Sequence, residues 1–356
     1  MVKKKTAQRI LFVDLLRFIA CIFIVYYHAH SIIFNDTSRD YYFSGSSLFV
    51  ELFLMLTGYF TFKHFLKTRV RSSFATKFKN SLSYTANKFK AYIPYILLSV
   101  LVFYILLVVS YKPTTAAAFF EITDTFFSDL FLLGAVRAGQ YSVIWYLSAV
   151  MLVFPLFCTL CQMKNKTLLF YIMSTFCVLY YLLLNGDISN NPLTLLRAFA
   201  GLSLGALLYP LSEMIKKQDF KKWFIFFLSA METICFIVAL SLMAPQDHLL
   251  YEMGHVHSFN VVLFMFAYLA LLFSGKTWQS KINFKFFSYL GVISLPIYIF
   301  HPVINYVVLC YFHEIPAAAK AAIIFVGSIV LAIILERLSA LIGKSKIDIR
   351  SHILNS

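Results

Sequence analysis

Asp14, Arg17 and His28 fall inside Ile10–Phe34, an apolar run long enough to cross a membrane, where an ionisable side chain is costly unless paired or functional. Arg17 and His28 are eleven residues apart. On an α-helix that separation is about 1100°, close to three whole turns, with a rise of about 16 Å. The two therefore share a face at different depths. Asp14 lies three residues before Arg17, the spacing at which a carboxylate and a guanidinium pair on a helix surface and make the arginine easier to bury. Glu51 in SLFVELFLMLTGYF and His301 in SLPIYIFHPVI are ionisable groups in two further apolar runs. With the N-terminus inside, His28 stands about 27 Å up its helix, and Glu51 and His301 also fall in the outer half of the membrane. A carboxylate at that level would orient the imidazole and raise its basicity. Glu51 and His28 are thus a candidate catalytic pair, with His301 a third titratable group at the same depth.

Such a face needs a bundle around it. Of the 356 residues 60% are hydrophobic and 13% charged, with a mean hydropathy of +0.78; soluble domains carry about a quarter charged residues. The chain reads as an all-α, polytopic membrane helix bundle. Ten apolar runs of spanning length lie near residues 10–34, 47–66, 92–110, 142–161, 167–185, 193–210, 223–244, 256–274, 286–311 and 317–342. The stretch from Phe119 to Val136 carries Glu121, Asp124 and Asp129, and reads as an interfacial or re-entrant helix with an eleventh span as the alternative. Placing both termini in the cytoplasm puts 24 of the 31 lysines and arginines on the inner side and five on the outer. Those basic inner segments, set against anionic lipid, account for the net charge of +15 without nucleic acid. The longest and most basic spans residues 63–91. Residues 1–350 are expected to form one integral membrane domain in a cell (plasma or inner) membrane, with no separate soluble domain, and a homodimer is an open expectation.

Several features have plain structural readings. An intramembrane histidine commonly serves as an interhelical hydrogen-bonder, and Glu51 and Arg197 could each face headgroups. Gly201 and Gly205 form a GxxxG, which means close helix packing. Glu232 and the Glu336, Arg337 pair read as structural, and His255 and His257 as polar residues at a span end. The six cysteines lie within or at the ends of apolar runs and suggest no disulfide framework; the Cys158, Cys161 pair lacks a second ligand pair, and no metal is expected.

The segment FVDLLRFIACIFIVYYHAH, with Asp14, Arg17 and His28, resembles the opening motif of the acyltransferase type 3 family of membrane acyltransferases. Four further segments follow in that family's order: VELFLMLTGY with Glu51, WYL at Trp145–Leu147, RAFAGLSLGALLY beginning at Arg197, and SLPIYIFHP with Ser294, Tyr298 and His301. The resemblance spans nearly the whole chain. Where the family carries an arginine three residues before a proline at the third span, Ala91 stands here, and Lys88 and Lys90 are the nearest bases. Some members carry a fused extracytoplasmic esterase-like domain, and none is expected here.

The resemblance implies transfer of an acyl group, most often acetyl from acetyl-CoA, to a hydroxyl of an extracytoplasmic or lipid-linked polysaccharide of a bacterial cell envelope. It would make His28 and Glu51 catalytic, His28 serving as general base or as carrier of the acyl group. Arg17, Asp14, Lys88 and Lys90 would serve the anionic donor, and His301, Tyr298, Ser294, Trp145 and Arg197 the acceptor side or the support of the site. The rival reading is a transporter, since intramembrane Arg, His and Glu also mark substrate and proton paths and Pro296 would break the ninth helix. No repeat relates the two halves. A second rival is an acyltransferase acting on a soluble or amino-group acceptor.

Overall fold

The computed structural model describes residues 10–36, 41–67, 73–136, 141, 143–184, 191–244 and 254–341. Twelve α-helices fill those residues, and no strand occurs among them. In chain order they are α1 (Phe12–Phe34), α2 (Phe49–Lys67), α3 (Phe74–Lys90), α4 (Ile93–Tyr111), α5 (Ala116–Leu130) and α6 (Ile144–Cys161). There follow α7 (Lys166–Val178), which runs on through a π-helical turn to Leu184, then α8 (Asn191–Lys217), α9 (Lys222–Met243), α10 (Gly254–Ser274), α11 (Lys285–Tyr311) and α12 (Ala317–Leu341).

Among the described residues, nine of the ten expected spans are helices long and apolar enough to cross a membrane; the tenth falls on α10, within which Ser258–Ser274 is an apolar helical stretch. The chain is a multi-pass membrane helix bundle. Exposed Leu, Ile, Val and Phe side chains on α4, α9 and α12 form the surface that lipid covers, the arrangement of a protein whose outside is as apolar as its inside.

Two stretches differ from their expected form. Residues 63–91, read as a basic loop, are mostly helix: α2 runs on to Lys67, and the Ser73 hydroxyl caps α3 by accepting the Thr76 amide at 3.3 Å. No proline or glycine interrupts residues 73–92, so a capped helix can form there. α8 likewise continues through Pro210 to Lys217 rather than stopping near residue 210.

α5 has 15 residues and leads into a segment that folds back among the spans. Leu132, Ala135, Tyr141 and Val143 are buried there. Irregular backbone at membrane depth must have its polar groups met by protein. Ser148 supplies one partner set, accepting the Ala135 amide at 3.0 Å and donating to the Leu132 carbonyl. Asp129 supplies another, its carboxylate accepting the Tyr104 hydroxyl at 2.7 Å and the Tyr141 amide at 2.9 Å. Asp129 is therefore an interior brace, not a headgroup-facing acid.

Two close crossings position the remaining elements. A Cβ on Gly205 would stand 2.1 Å from the Met55 carbonyl oxygen, so the GxxxG of α8 does seat that helix directly on α2. α11 packs along α1, and its two internal prolines, Pro296 and Pro302, free backbone carbonyls one turn before each.

Candidate functional site

A cavity leaving about 120 Å³ for the centres of water molecules opens between α1, α2, α3, α6 and α11. Its wall includes Arg17, Cys21, Thr57, Lys88, Tyr146, Ser294 and Tyr298, set among Phe53, Leu56, Phe60 and Phe154. Arg17 reaches this wall with its guanidinium 3.8 Å from the Asp14 carboxylate and 6.0 Å from the centre of the Phe60 ring. Asp14 is buried against α11 where Gly291 leaves room; a Cβ there would stand 2.6 Å from the Asp14 side chain.

Lys88 enters from α3, its ammonium 5.1 Å from the Phe154 ring centre and 5.8 Å from that of Tyr84. Burial brings its pKa from the ordinary 10.5 down to about 8; Cys158 opposes that change and the like charge of Arg17 adds to it. Lys90 is exposed on another face of α3 and does not line the cavity.

At the far wall, the Tyr298 ring meets Tyr146 edge-on at 5.9 Å, and its hydroxyl donates to the Val143 carbonyl at 3.0 Å. The Ser294 hydroxyl donates to the Gly291 carbonyl at 2.8 Å, while the Ser294 carbonyl accepts the Cys21 thiol at 3.2 Å. One turn beyond Tyr298, with ring centres 6.1 Å apart, lies His301. It is wholly buried, and its ring centre is 5.3 Å from that of His28. His301 Nδ1 lies 3.3 Å from the Ile297 carbonyl oxygen. A carbonyl only accepts, so Nδ1 carries the proton and Nε2 is left with a bare lone pair. That Nε2 is buried and has no hydrogen-bond partner among the described residues. His28 is half-buried, between Tyr27 and His301.

Glu51 does not serve His28 in this structure. Its Oε1 accepts the Arg197 Nε–H at 2.5 Å, and its Oε2 accepts the Tyr181 hydroxyl. Both charged groups are buried, Glu51 at 1% exposure and Arg197 at 4%. A carboxylate so deep requires a counter-charge, and Arg197 on α8 provides it. Arg197 is thus not a snorkelling surface residue. Its guanidinium lies 5.0 Å from the Trp145 ring centre, which brings those two expected supporting residues together with Glu51.

The sequence reading missed Cys21, Thr57 and Tyr146 on the cavity wall and Tyr181 on Glu51. For Tyr146 the WYL segment was a signal, whereas Tyr181 stands in an apolar run with nothing to mark it. Missed too was Tyr141, whose hydroxyl donates to the Ile299 carbonyl at 2.5 Å and braces α11 beside His301. Glu232, read as structural, accepts the Thr277 hydroxyl at 2.9 Å. The side chains of His255 and His257 lie outside the described residues. No group of three or more His, Cys, Asp or Glu residues placed to hold a metal occurs among the described residues, and the six cysteines are free.

Chemically, the arrangement joins two cations on a cavity to a pair of imidazoles through a tyrosine-lined wall. A family model described as an acyltransferase domain matches residues 10–337. No curated protein and no solved structure matches the chain.

Proposed function

The chain belongs to the acyltransferase type 3 family and is a membrane acyltransferase, and from that premise we propose that it moves an acyl group, acetyl in the first instance, from cytosolic acyl-CoA to a hydroxyl of an extracytoplasmic or lipid-linked glycan. The observation that carries this reading is the line from Arg17 and Lys88, across the cavity, past Tyr298 to His301 and His28. The inner orientation of the Arg17 end comes from the lysine and arginine asymmetry.

In this reading the phosphates of CoA meet Arg17 and Lys88, and the acyl thioester passes along the apolar cavity wall toward Tyr298. His301, protonated at Nδ1, offers its bare Nε2 to accept an N–H from His28 when substrate draws the two rings together, and so fixes which His28 nitrogen stays free. That nitrogen takes the proton of the acceptor hydroxyl as its oxygen attacks the acyl carbon. The C–S bond breaks, and the CoA thiolate leaves and takes up a proton. Acyl transfer first to His28, then to the acceptor, uses the same pair. Glu51, with Arg197 and Tyr181, holds α2, α7 and α8 together rather than acting on the proton.

The test uses inverted membrane vesicles containing the chain, supplied with acetyl-CoA labelled in the acetyl group. Release of CoA with label appearing in glycan or lipid-linked glycan supports the reading. Untouched acetyl-CoA, with the native acceptor pool present and other acyl thioesters equally untouched, removes it.

A further inference from the structure

α3 changes character both along its length and around its axis. Taking about 100° per residue, Phe74, Phe78 and Leu82 fall within one stripe about 80° wide. All three are exposed, Phe74 by 69%, and the rings of Phe74 and Phe78 stack at 6.4 Å and 9°. Lys79 and Lys90, both exposed, lie about 60–80° beyond Leu82, with Ser83 and Asn87 following them round. The anchored residues share the azimuth of the apolar stripe further along the helix, Ser81 about 20° before Phe74 and Thr85 and Phe89 about 20° and 60° beyond it. Ser81, Thr85 and Phe89 are buried, and the Ser81 hydroxyl oxygen accepts from Thr159 at 3.0 Å and from the Gln162 amide at 2.9 Å, both on or beside α6. Lys88 belongs to this inward side and reaches the cavity wall.

The neighbours of α3 fix where it lies. α2, which spans, ends at Lys67, and α4, which spans, begins at Ile93 with its own exposed stripe of Ile93, Leu97 and Leu101. α3 therefore sits at the level where both leave the membrane. One face of α3 thus rests on protein at Ser81, Thr85 and Phe89 and is exposed and apolar toward the N-terminal end, with the lysines and then the polar residues beyond it, as in a helix lying in the plane of a bilayer surface with part of that face over the bundle and part over lipid. Lysines at the border of the apolar stripe can bury their methylenes and raise their ammonium groups to headgroup level.

We propose that α3 is a membrane-surface docking element for anionic phospholipid, with Phe74, Phe78 and Leu82 in the acyl region and Lys79 and Lys90 against headgroup phosphates. A soluble anion could meet the two lysines, but it leaves the phenylalanine stripe uncovered, which is why the bilayer is the occupant. The assignment rests on the faces of α3 and stands or falls apart from the acyl-transfer reading.

Hydrogen exchange of the full-length chain tests it, in nanodiscs of zwitterionic lipid alone and of a mixture rich in anionic phospholipid. Exchange over residues 74–90 is expected to be about tenfold slower in the anionic mixture, while residues 144–161 exchange equally in both and report an intact bundle. The double variant Lys79→Gln/Lys90→Gln is expected to lose the difference, and Phe78→Ser to speed exchange in both lipids. Inorganic phosphate added to the zwitterionic discs is expected to protect nothing. Equal exchange in the two compositions, a difference that survives the double lysine variant, or full protection by phosphate alone would overturn the proposal.

Discussion

The rings of His28 and His301, 273 residues apart in sequence, lie with their centres 5.3 Å apart and their planes at 37°. One is half-buried and the other wholly buried, with a bare Nε2. An imidazole whose one nitrogen is committed to a backbone carbonyl is a defined acceptor for its neighbour. That makes His301 the residue expected to set the tautomer of His28.

Replacing His301 should therefore damage turnover more than binding. His301→Ala is expected to lower kcat about 100-fold with donor KM within about twofold of wild type. Steady-state kinetics with labelled donor in vesicles checks this. A change confined to KM would assign His301 to substrate contact instead.

The buried Glu51–Arg197 pair leads to a stability effect. Arg197→Met leaves an uncompensated carboxylate at 1% exposure, and a destabilisation of about 3–5 kcal/mol is expected. The double variant Glu51→Gln/Arg197→Met should recover much of it. Thermal unfolding in nanodiscs reads both. If Arg197→Met is as stable as wild type yet inactive, the pair acts in the chemistry rather than in holding the helices.

Lys88 gives the donor site a pH dependence whose sign follows from burial. Its ammonium, with a pKa of about 8, is charged below that pH and loses its proton above it. Donor KM is expected to rise about tenfold between about pH 7 and about pH 9 while kcat changes less. Lys88→Arg, which stays charged throughout, should flatten the rise. A wild-type KM that is level across this range would take Lys88 off the donor.

Gly291 makes a more local case. A Cβ there would meet the Asp14 side chain at 2.6 Å, in a contact between α11 and α1 that has no flexible end to yield. Gly291→Val is expected to part α11 from α1, to displace Asp14 and with it Arg17, and to raise the donor KM of the protein that still folds. Donor titration beside a measure of membrane abundance separates that outcome from simple misfolding, which would lower abundance and leave KM unchanged.

The spans were legible because each is a run of apolar residues whose length the membrane dictates, and the Arg17–His28 face because eleven residues make three helical turns. The Asp14–Arg17 pairing was legible for the same local reason. Glu51 was assigned to His28 from depth alone. Depth does not fix which way a side chain faces around its helix, and the rotation of α2 turns Glu51 toward Arg197, 146 residues away. α3 was hidden by its charge, since its lysines lower the mean hydropathy while leaving the helical pattern intact. Tyr181 and Tyr141 could not be singled out among 22 tyrosines, because a hydroxyl acquires a role only when packing supplies its acceptor.

The most direct measurement compares wild type with His28→Ala in inverted vesicles at equal abundance, following both release of CoA and transfer of labelled acetyl to glycan. Wild type is expected to do both, and His28→Ala neither, with loss of at least about 100-fold. Transfer by a folded His28→Ala protein at the wild-type rate would contradict the central role given to the paired histidines.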